Sequence, residues 1–275
     1  MELHEQIQKD LTRVYKSTIW HKVLRAIKDY DLIKSGDKIA VCISGGKDSI
    51  LLAKCMQEYQ KHTPYDVKFE YIVMNPGYTK QNLDLIKHNA KLLDIPIQIF
   101  NSDIFDIVND IKDSPCYLCA RMRRGCLYDY AKSLGCNKIA LGHHFNDVIE
   151  TILISMFYGS EYKTMMPKLK STNHKGMELI RPLYLVKEQD ILAWKDNYNL
   201  QFLQCACKLT SKVDSGELVS KRKEIKQLIQ TLTKDSPNVD INIFRSIHNV
   251  KLDTILGYTK DGKHYTFLDD YKGES

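Results

Sequence analysis

A phosphate-binding loop is indicated by six consecutive residues that follow the apolar run at positions 39–43: Ser44, Gly45, Gly46, Lys47, Asp48 and Ser49. Glycines let the backbone come close to a ligand, and the N–H groups at the start of a following helix favour an anion. Lys47 adds a positive charge, and the serine hydroxyls add hydrogen-bond donors. The alternative is an ordinary strand-to-helix turn in which Asp48 and Ser49 only cap the helix. Polar residues on both sides of the glycines favour the phosphate site, and the spacing excludes a Walker A loop.

A second candidate segment follows a predicted strand at residues 138–141 and has the sequence Gly-His-His-Phe-Asn-Asp at residues 142–147. Here His143 is a candidate phosphate contact, His144 a further one, and Asp147 a candidate Mg²⁺ ligand, because that ion prefers hard oxygen ligands. The alternatives are structural caps for the histidines and, for Asp147, an aspartate favoured by the helix dipole. Asn75 follows another predicted strand and lies at the same edge of the sheet, where it is a candidate ligand contact. A turn that needs Gly77 explains its presence there equally well.

The eight cysteines favour reduced thiols over disulfides, since no export signal is visible at the N-terminus. Cys116 and Cys119 have a spacing that lets both thiolates reach one metal. For Cys205 and Cys207 the one-residue gap makes joint binding of a single ion awkward, so three ligands are favoured over four. Three thiolates suit an iron–sulfur cluster with one open iron. The other cysteines are predicted to be small buried residues: Cys42, Cys55, Cys126 and Cys136.

The elements that must position these residues alternate between strand and helix from residue 37 onward. This alternation predicts an α/β fold with a doubly wound parallel sheet and a ligand site at the carboxyl ends of its strands. Residues 3–28 have the periodicity of one amphipathic helix. Asp261 and Gly262 predict a hairpin near the C-terminus. We expect three parts: an N-terminal helical lead-in at 1–36, a nucleotide-binding domain with an inserted cysteine loop at 37–207, and a basic helical and hairpin extension at 208–275.

Composition excludes several classes of protein. At 275 residues, with 43% hydrophobic and 27% charged residues, the chain is neither disordered nor fibrous. Its apolar runs are too short for a membrane span of about 20 residues, so we expect a cytoplasmic protein without a membrane partner. The net charge of +6 suits a polyanionic partner without requiring one.

Taken together, these motifs resemble the tRNA 2-thiocytidine synthetase family of PP-loop ATP pyrophosphatases. The resemblance covers roughly residues 9–208, and its motifs stand in one order: Ser-Gly-Gly-Lys-Asp-Ser, Cys-x-x-Cys followed by Ala-Arg-Met-Arg-Arg-Gly, Leu-Gly-His-His, Met-Phe-Tyr-Gly, Ile-Arg-Pro-Leu and a late cysteine. It implies an adenine nucleotide alpha hydrolase-like fold, usually in a homodimer. The implied activity is ATP-dependent 2-thiolation of cytidine at position 32 in the tRNA anticodon loop, with Mg²⁺ and a 4Fe-4S cluster.

The resemblance also implies roles for particular residues. ATP binding falls on the loop at 44–49 and on three further residues: Asn75, Gly142 and His143. Catalysis falls on Lys47, Asp48 and Asp147. It consists of transferring AMP to the C2 oxygen of the cytidine, after which sulfur displaces the AMP together with that oxygen. The cluster ligands are Cys116, Cys119 and Cys205, with Cys207 as the alternative third ligand. Three arginines beside the cysteine pair are candidates for tRNA contact, although arginine is common on exposed helices: Arg121, Arg123 and Arg124.

Three features depart from the family pattern. Asn146 stands where the family more often has aspartate, which affects an Mg²⁺ contact at that position. The late motif is Cys-x-Cys rather than Cys-x-x-Cys, so the third cluster ligand is open between Cys205 and Cys207. The tyrosine-rich tail after Val250 has no counterpart in the family.

Two alternatives to this function come from the same residues. One is a PP-loop enzyme that thiolates uridine or adenylates another carbonyl and uses bound zinc. The other is a non-catalytic redox sensor that binds nucleotide and a cluster. The preferred function requires tRNA as substrate and a sulfur donor such as a cysteine desulfurase, whereas a sensor has no reason to release pyrophosphate when tRNA is added.

Overall fold

The structure, a computed structural model, describes residues 2–102, 104, 115–203 and 221–271, with the backbone alone at 115–120 and 270. Its main sheet consists of β1 Lys38–Ile43, β2 Lys68–Asn75, β3 Ile97–Asn101, β4 Lys138–Ala140, β5 Lys168–Lys170 and β6 Glu178–Ile180. The strand order is β3-β2-β1-β4-β6-β5. Every neighbouring pair is parallel except β5 with β6. The predicted fold class, a doubly wound and mainly parallel sheet, is confirmed.

Helices connect and flank these strands. They are α1 Leu3–Thr12, α2 His21–Asp29, α3 Lys47–His62, α4 Lys80–Leu92, α5 Pro115–Ser133, α6 Phe145–Gly159, α7 Glu188–Asn197, α8 Lys221–Asp235, α9 Val239–Ser246 and α10 Phe267–Tyr271. A hairpin of β7 Gly257–Lys260 and β8 Lys263–Thr266 turns at Asp261 and Gly262, both with positive φ, as the sequence predicts. Among the described residues, none of the helices has the length and apolar character that a membrane crossing requires.

Burial explains why β1 and α3 form a rigid support. The apolar run of β1 is buried from Ile39 to Ile43, as expected for a strand covered on both faces. On α3, four consecutive residues have no exposed surface: Ile50, Leu51, Leu52 and Ala53. The turn between the two elements is therefore held from both sides.

The N-terminal segment is not the single helix predicted for residues 3–28. A π-helical turn at Lys16–Trp20 separates α1 from α2. The Tyr15 N–H donates to the Asp10 carbonyl at 2.9 Å and the Trp20 N–H to the Tyr15 carbonyl at 3.0 Å, so both bonds span five residues. This wider turn lets Tyr15 and Trp20 be buried together, which a regular 3.6-residue period does not allow.

Strand β5 lies inside the segment 159–175, which the sequence predicts to be a loop. Its middle residue, Leu169, is 48% exposed and is flanked by two lysines. Charged residues are typical of the outer strand of a sheet, where they prevent pairing with another chain. The strand therefore carries little of the alternating apolar pattern by which strands are recognised.

The described chain divides into two compact units, Met1–Val148 with Met165–Lys221, and Ile149–Thr164 with Arg222–Ser275. The first unit contains the main sheet. In the second, the Tyr158 hydroxyl donates to Glu224 at 2.7 Å, and Arg222 forms an ion pair with Glu150 at 3.3 Å. The three-part division expected from the sequence stays a prediction.

A buried lysine gives the first unit a specific pH dependence. Lys54 on α3 is 2% exposed, and its ammonium donates to the Leu93 carbonyl at 2.9 Å. Burial, reinforced by Lys61, lowers the pKa of Lys54 from 10.5 to about 8. Between these two values the unfolded chain binds more protons at this side chain than the folded chain does. The contribution of Lys54 to the free energy of unfolding therefore rises with pH across this window.

The variant Lys54→Met is expected to flatten that rise, because methionine fills a similar volume without a titrating group. Urea unfolding of the variant and the wild type, measured from about pH 7 to about pH 10.5, checks it. Lys87→Met is the control, since Lys87 is exposed on α4 and is not among the groups that shift the pKa of Lys54. Parallel curves for the wild type and Lys54→Met would contradict the prediction.

Candidate active site

The phosphate-loop candidate lies between β1 and α3. Gly46 precedes the first residue of α3 and has no side chain to cap it. Gly45 has a φ of +85°, and a Cβ there would lie 2.7 Å from Ile86 Cγ1 and 2.8 Å from Leu203 Cδ1. Only glycine fits this position. The loop thus presents the N–H groups of the first turn of α3 at the carboxyl end of β1.

The two serines of the loop hold its shape. The Ser49 hydroxyl donates to the Gly46 carbonyl at 2.9 Å and accepts from the Ser44 N–H at 3.1 Å. The two hydroxyl oxygens are 3.2 Å apart. The sequence predicts that these hydroxyls donate to a ligand. In the structure the Ser49 hydroxyl also stabilises the turn through its hydrogen bonds with Gly46 and Ser44.

Lys47 lies between two carboxylates. Its ammonium is 3.1 Å from Asp48 Oδ1 and 3.5 Å from Glu188 Oε1. Burial by itself would lower the pKa of Lys47, but Asp48 and Glu188 outweigh it, so the pKa is raised above its ordinary value. Lys47 is therefore a permanent positive charge beside the loop. Glu188 is a partner that the sequence interpretation missed, because only the fold brings the start of α7 to the start of α3.

The second predicted segment packs directly against the first, because β1 and β4 are adjacent and parallel. A Cβ on Gly142 would lie 3.0 Å from the Asp48 carbonyl carbon and 3.0 Å from the Ser49 nitrogen. The two segments share a pocket of about 390 Å³, within the range of small-molecule sites. Its polar lining includes Ser44, Asp48, Ser49, Arg123, Arg124, His143 and Asp147.

Replacing Gly142 with alanine is expected to push the first turn of α3 out of place and to weaken ATP binding by about tenfold. The added methyl group meets backbone at Asp48 and Ser49, which cannot move aside as a flexible side chain could. Titration with a non-hydrolysable ATP analogue measures the effect. Gly125→Ala is the control, because a Cβ on Gly125 meets nothing within 4 Å. Equal affinities for the two variants would contradict the prediction.

His143 lines the pocket and is oriented by a buried arginine. Arg181 Nε donates to His143 Nδ1 at 3.3 Å, and the guanidinium also donates to the Met166 carbonyl. Arg181 is 7% exposed, and burial lowers its pKa to about 10, so it remains charged at neutral pH. Arg181 belongs to the Ile-Arg-Pro-Leu motif, but the sequence alone predicts no role for it. In the structure it fixes the position of His143.

His144 lies behind the pocket rather than in its lining. The ring is 3.8 Å from Asp48 Oδ1 and 3.6 Å from Asp147 Oδ2, and the residue is 6% exposed. The His144 N–H also donates to Asp147 Oδ2 at 3.0 Å. Asp147 thus makes the capping contact that is the alternative to metal binding, and it lines the pocket as well.

Two carboxylates in this pocket fit a cation. Asp48 Oδ1 is buried and accepts no hydrogen bond from the residues that the structure describes, although the Lys47 ammonium lies 3.1 Å away as an ion-pair partner. Asp48 and Asp147 line the same pocket, and carboxylate oxygens are the ligands that a hard cation such as Mg²⁺ prefers. Magnesium usually takes one or two carboxylates and completes its shell with phosphate oxygens and water.

Two of the three candidate arginines line the same pocket. Arg123 and Arg124 stand on α5, and the Arg123 guanidinium donates to the Tyr78 hydroxyl at 3.3 Å. Tyr78 in turn donates to the Ser44 carbonyl at 3.4 Å, which connects α5 to the phosphate loop. Arg121 is exposed and is not among the lining residues. The sequence does not predict this role of Tyr78, although the nearby residues Asn75 and Gly77 were candidates.

Two asparagines have defined structural roles. The side-chain oxygen Oδ1 of Asn75 accepts from the backbone N–H groups of Gly77 and Tyr78 at 3.2 and 2.8 Å, and its side-chain amide donates to Asn101 Oδ1. Asn75 therefore builds the turn at the strand edge, and its contact with ATP stays a prediction. Asn146 accepts from the Glu188 N–H at 2.9 Å and so caps α7. Asn146 therefore has a structural role at the position where the family more often has an aspartate, the residue considered for an Mg²⁺ contact.

The cysteines with predicted roles fall partly inside and partly outside the described residues. Cys42, Cys55 and Cys136 are buried as predicted, while Cys126 is half-buried. Burial raises the pKa of each of these four thiols, which makes them poor metal ligands. The backbones of Cys116 and Cys119 lie in the first turns of α5. The side chains of that pair, and the whole of Cys205 and Cys207, lie outside the described residues.

Comparison with known proteins gives consistent matches over most of the chain. The model of the PP-loop domain family matches residues 5–213. The tRNA-cytidine(32) 2-sulfurtransferase of Geotalea uraniireducens is 35% identical over 237 residues, covering 85% of this chain and 91% of that protein. The protein of the same name from Herminiimonas arsenicoxydans is 37% identical over 266 residues, covering 93% and 80%.

Among solved structures, the chain is similar to the U34-tRNA thiolase NcsA from Methanococcus maripaludis with its 4Fe-4S cluster. The TM-score is 0.66 with 23% sequence identity, and the match covers 87% of this chain and 80% of that one. At this level of identity the likeness supports the fold.

Proposed function

This chain belongs to the tRNA-cytidine(32) 2-sulfurtransferase family of PP-loop proteins, and from that premise we propose that it uses ATP to replace the C2 oxygen of cytidine 32 in tRNA with sulfur. One observation carries the proposal. A single pocket is lined by Ser44, Asp48 and Ser49 of the phosphate loop, by Asp147, and by Arg123 and Arg124 of α5, the helix that also carries Cys116 and Cys119.

In the first step the C2 oxygen attacks the α-phosphorus of ATP, the bond to the β-phosphate oxygen breaks, and pyrophosphate leaves. We assign stabilisation of the departing charge to Lys47 and to the first-turn N–H groups of α3. Asp48 and Asp147 would hold Mg²⁺, which when bound neutralises phosphate charge. His143, held by Arg181, is assigned to a phosphate oxygen, and Gly142 and Asn75 to the ATP site around it.

In the second step sulfur at the oxidation level of sulfide attacks C2, the C2–O bond breaks, and AMP leaves with the electron pair. A 4Fe-4S cluster on Cys116, Cys119 and either Cys205 or Cys207 would supply an open iron on which that sulfur is held. A donor such as a cysteine desulfurase delivers persulfide sulfur, which needs two electrons from a reductant to reach this level. The roles of the protein are to place C2 near both reagents and to exclude water.

The course of α5 supports a short distance between the two reagents. Cys119 and Arg123 are four residues apart on this helix, which corresponds to a rise of about 6 Å. Arg123 lines the ATP pocket. The four described cysteines have raised thiol pKa values, which leaves the undescribed ones as the better metal ligands.

The remaining parts of the proposal concern partners and place. The substrate is tRNA, and we assign its contacts to Arg121, Arg123 and Arg124, whose charges suit phosphates near the anticodon loop. We also propose a homodimer, which the family resemblance implies, and a cytoplasmic location. The relatives named for cytidine favour that base over uridine.

Nucleoside mass spectrometry of tRNA from cells that lack this gene tests the function. We expect 2-thiocytidine to disappear and to return with the wild-type gene. Loss of a thiouridine with 2-thiocytidine unchanged would instead establish the uridine alternative. In the purified protein, pyrophosphate release that depends on added tRNA is expected, and its absence in a preparation with an intact cluster would favour the redox sensor.

A further inference from the structure

A second cavity, of about 480 Å³, lies at the far end of α3 from the phosphate loop. It is bordered by the π-helical turn Lys16–Trp20, by the start of α2 and by the residues that follow α3. Because α3 has 16 residues, its ends are separated by about 24 Å. The cavity is therefore distinct from the ATP pocket, and no role in the proposed reaction falls on it.

Three aromatic rings border this cavity. Trp20 and Tyr59 are each 6% exposed, and Tyr65 is 48% exposed. The Trp20 ring also meets the His62 ring edge-on, with centroids 6.3 Å apart. Tyr65 therefore presents an exposed ring on which a planar ligand group can stack, and Trp20 and Tyr59 contribute the small exposed parts of their rings to the same wall.

The cavity lining contains a lysine and two histidines. Lys16, His21 and His62 line it, whereas no aspartate or glutamate is found among its lining residues in the described part of the chain. His62 is held by Glu58, with Nε2 2.7 Å from the Glu58 carboxylate. Lys16 and His21, by contrast, have no ion-pair partner among the residues described in the structure. The exposed Lys16 ammonium and the His21 ring are thus available to an anionic ligand group.

The backbone at this place is also unusual. The π-helical turn carries Lys16 and Trp20, a cation and an aromatic ring, at its two ends. Single π-helical turns frequently occur at functional sites, since they change the direction of side chains relative to a regular helix. Both side chains line the cavity.

We propose that this cavity binds a nucleotide, with the planar base against Trp20 and Tyr65 and the phosphate against Lys16 and His21. Stacking on aromatic rings combined with a cationic contact is the chemistry by which proteins bind single nucleotides without sequence preference. The same chemistry serves a free nucleotide or a nucleotide within an RNA chain. The inference does not rest on the proposed thiolation activity.

Tryptophan fluorescence provides a direct test, because the chain has two tryptophans. Trp194 has no exposed surface and is stacked on Phe202, so Trp194→Phe leaves Trp20 as the reporter. We expect 5′-AMP to change the Trp20 emission in a saturable way, and adenosine or inorganic phosphate alone to bind at least about fivefold more weakly. The response should persist when Lys47→Ala is added, since Lys47 lies at the other end of α3.

Lys16→Gln and His21→Gln are each expected to weaken AMP binding by about fivefold. Lys28→Gln is the matched control, because Lys28 is exposed on α2 and does not line the cavity. As a second measurement on the unsubstituted protein, AMP should slow acetylation of Lys16, detected by mass spectrometry. Equal binding of AMP and adenosine, or no response of Trp20 together with no protection of Lys16, would overturn the proposal.

Two binding probes distinguish a free nucleotide from a nucleotide within an RNA chain. The first is free 5′-AMP, and the second is a short single-stranded RNA of mixed sequence. Tighter binding of the RNA supports an RNA contact, and tighter binding of AMP supports a small-molecule site. No response of Trp20 to either probe, together with no protection of Lys16 by either, would contradict both sources.

Discussion

Lys47→Ala is expected to lower the rate of tRNA-dependent AMP and pyrophosphate formation by at least about 10²-fold while the fold is retained. In the structure the Lys47 ammonium is the positive charge of the phosphate loop, and the carboxylates of Asp48 and Glu188 raise its pKa. The departing pyrophosphate would lose this charge when the side chain is removed. A single-turnover assay with labelled ATP measures the loss directly.

Lys61→Ala is the matched control for this substitution. Lys61 lies on the same helix, has the same charge, and its side chain is 60% exposed at the other end of α3. We expect its AMP formation to equal that of the wild type. Thermal unfolding and iron content of Lys47→Ala check that fold and cluster survive. Unchanged AMP formation by a folded Lys47→Ala protein would refute the role assigned to the loop.

Cys205→Ser is expected to abolish the iron–sulfur cluster, whereas Cys207→Ser is expected to retain it. The prediction rests on the family pattern, in which the third ligand maps onto Cys205, and on the raised thiol pKa values of the four described cysteines. Thiolation of tRNA should disappear in Cys205→Ser, while ATP binding should remain within about twofold of the wild type, because the ATP pocket is built from other residues. Iron analysis and visible absorption of anaerobic preparations measure the cluster.

The two serine variants control for each other, since they differ by two positions in one short motif. Loss of iron from Cys207→Ser with retention by Cys205→Ser would assign the third ligand to Cys207. A colourless wild-type protein with stoichiometric zinc would instead favour the zinc-dependent alternative. Cys55→Ala provides a negative control at a buried thiol with no expected effect on iron.

Much of the fold was predictable because its signals are local. The apolar run of β1, the glycines after it and the helical pattern of α3 lie within about 25 residues, and each is specified by its own sequence. The Asp261–Gly262 turn is equally local, since both residues tolerate positive φ. Two elements with weak sequence signals were not predicted. Strand β5 has only three residues and lies at the edge of the sheet with its lysines. The π-helical turn interrupts a helical period that continues on both sides of it.

The site was predictable in its residue types but not in its contacts. Asp48, His143 and Asp147 were candidates from their positions after strands, and the structure brings them to one pocket. Glu188 and Arg181 were not, because their contacts with Lys47 and His143 join residues 141 and 38 positions apart. Pairs at such separations leave no periodic trace in a single sequence, and only the parallel arrangement of β1, β4 and β6 makes them neighbours.

The contact between Arg181 and His143 has a consequence for the chemistry of the imidazole. A guanidinium only donates, so the ring nitrogen Nδ1 that faces Arg181 Nε must offer its lone pair. The neutral ring then carries its proton on Nε2, which selects one tautomer before any substrate arrives. In the proposed ATP site His143 would therefore meet a phosphate oxygen through the Nε2 proton, and Nδ1, which accepts from Arg181, would not abstract a proton from the cytidine.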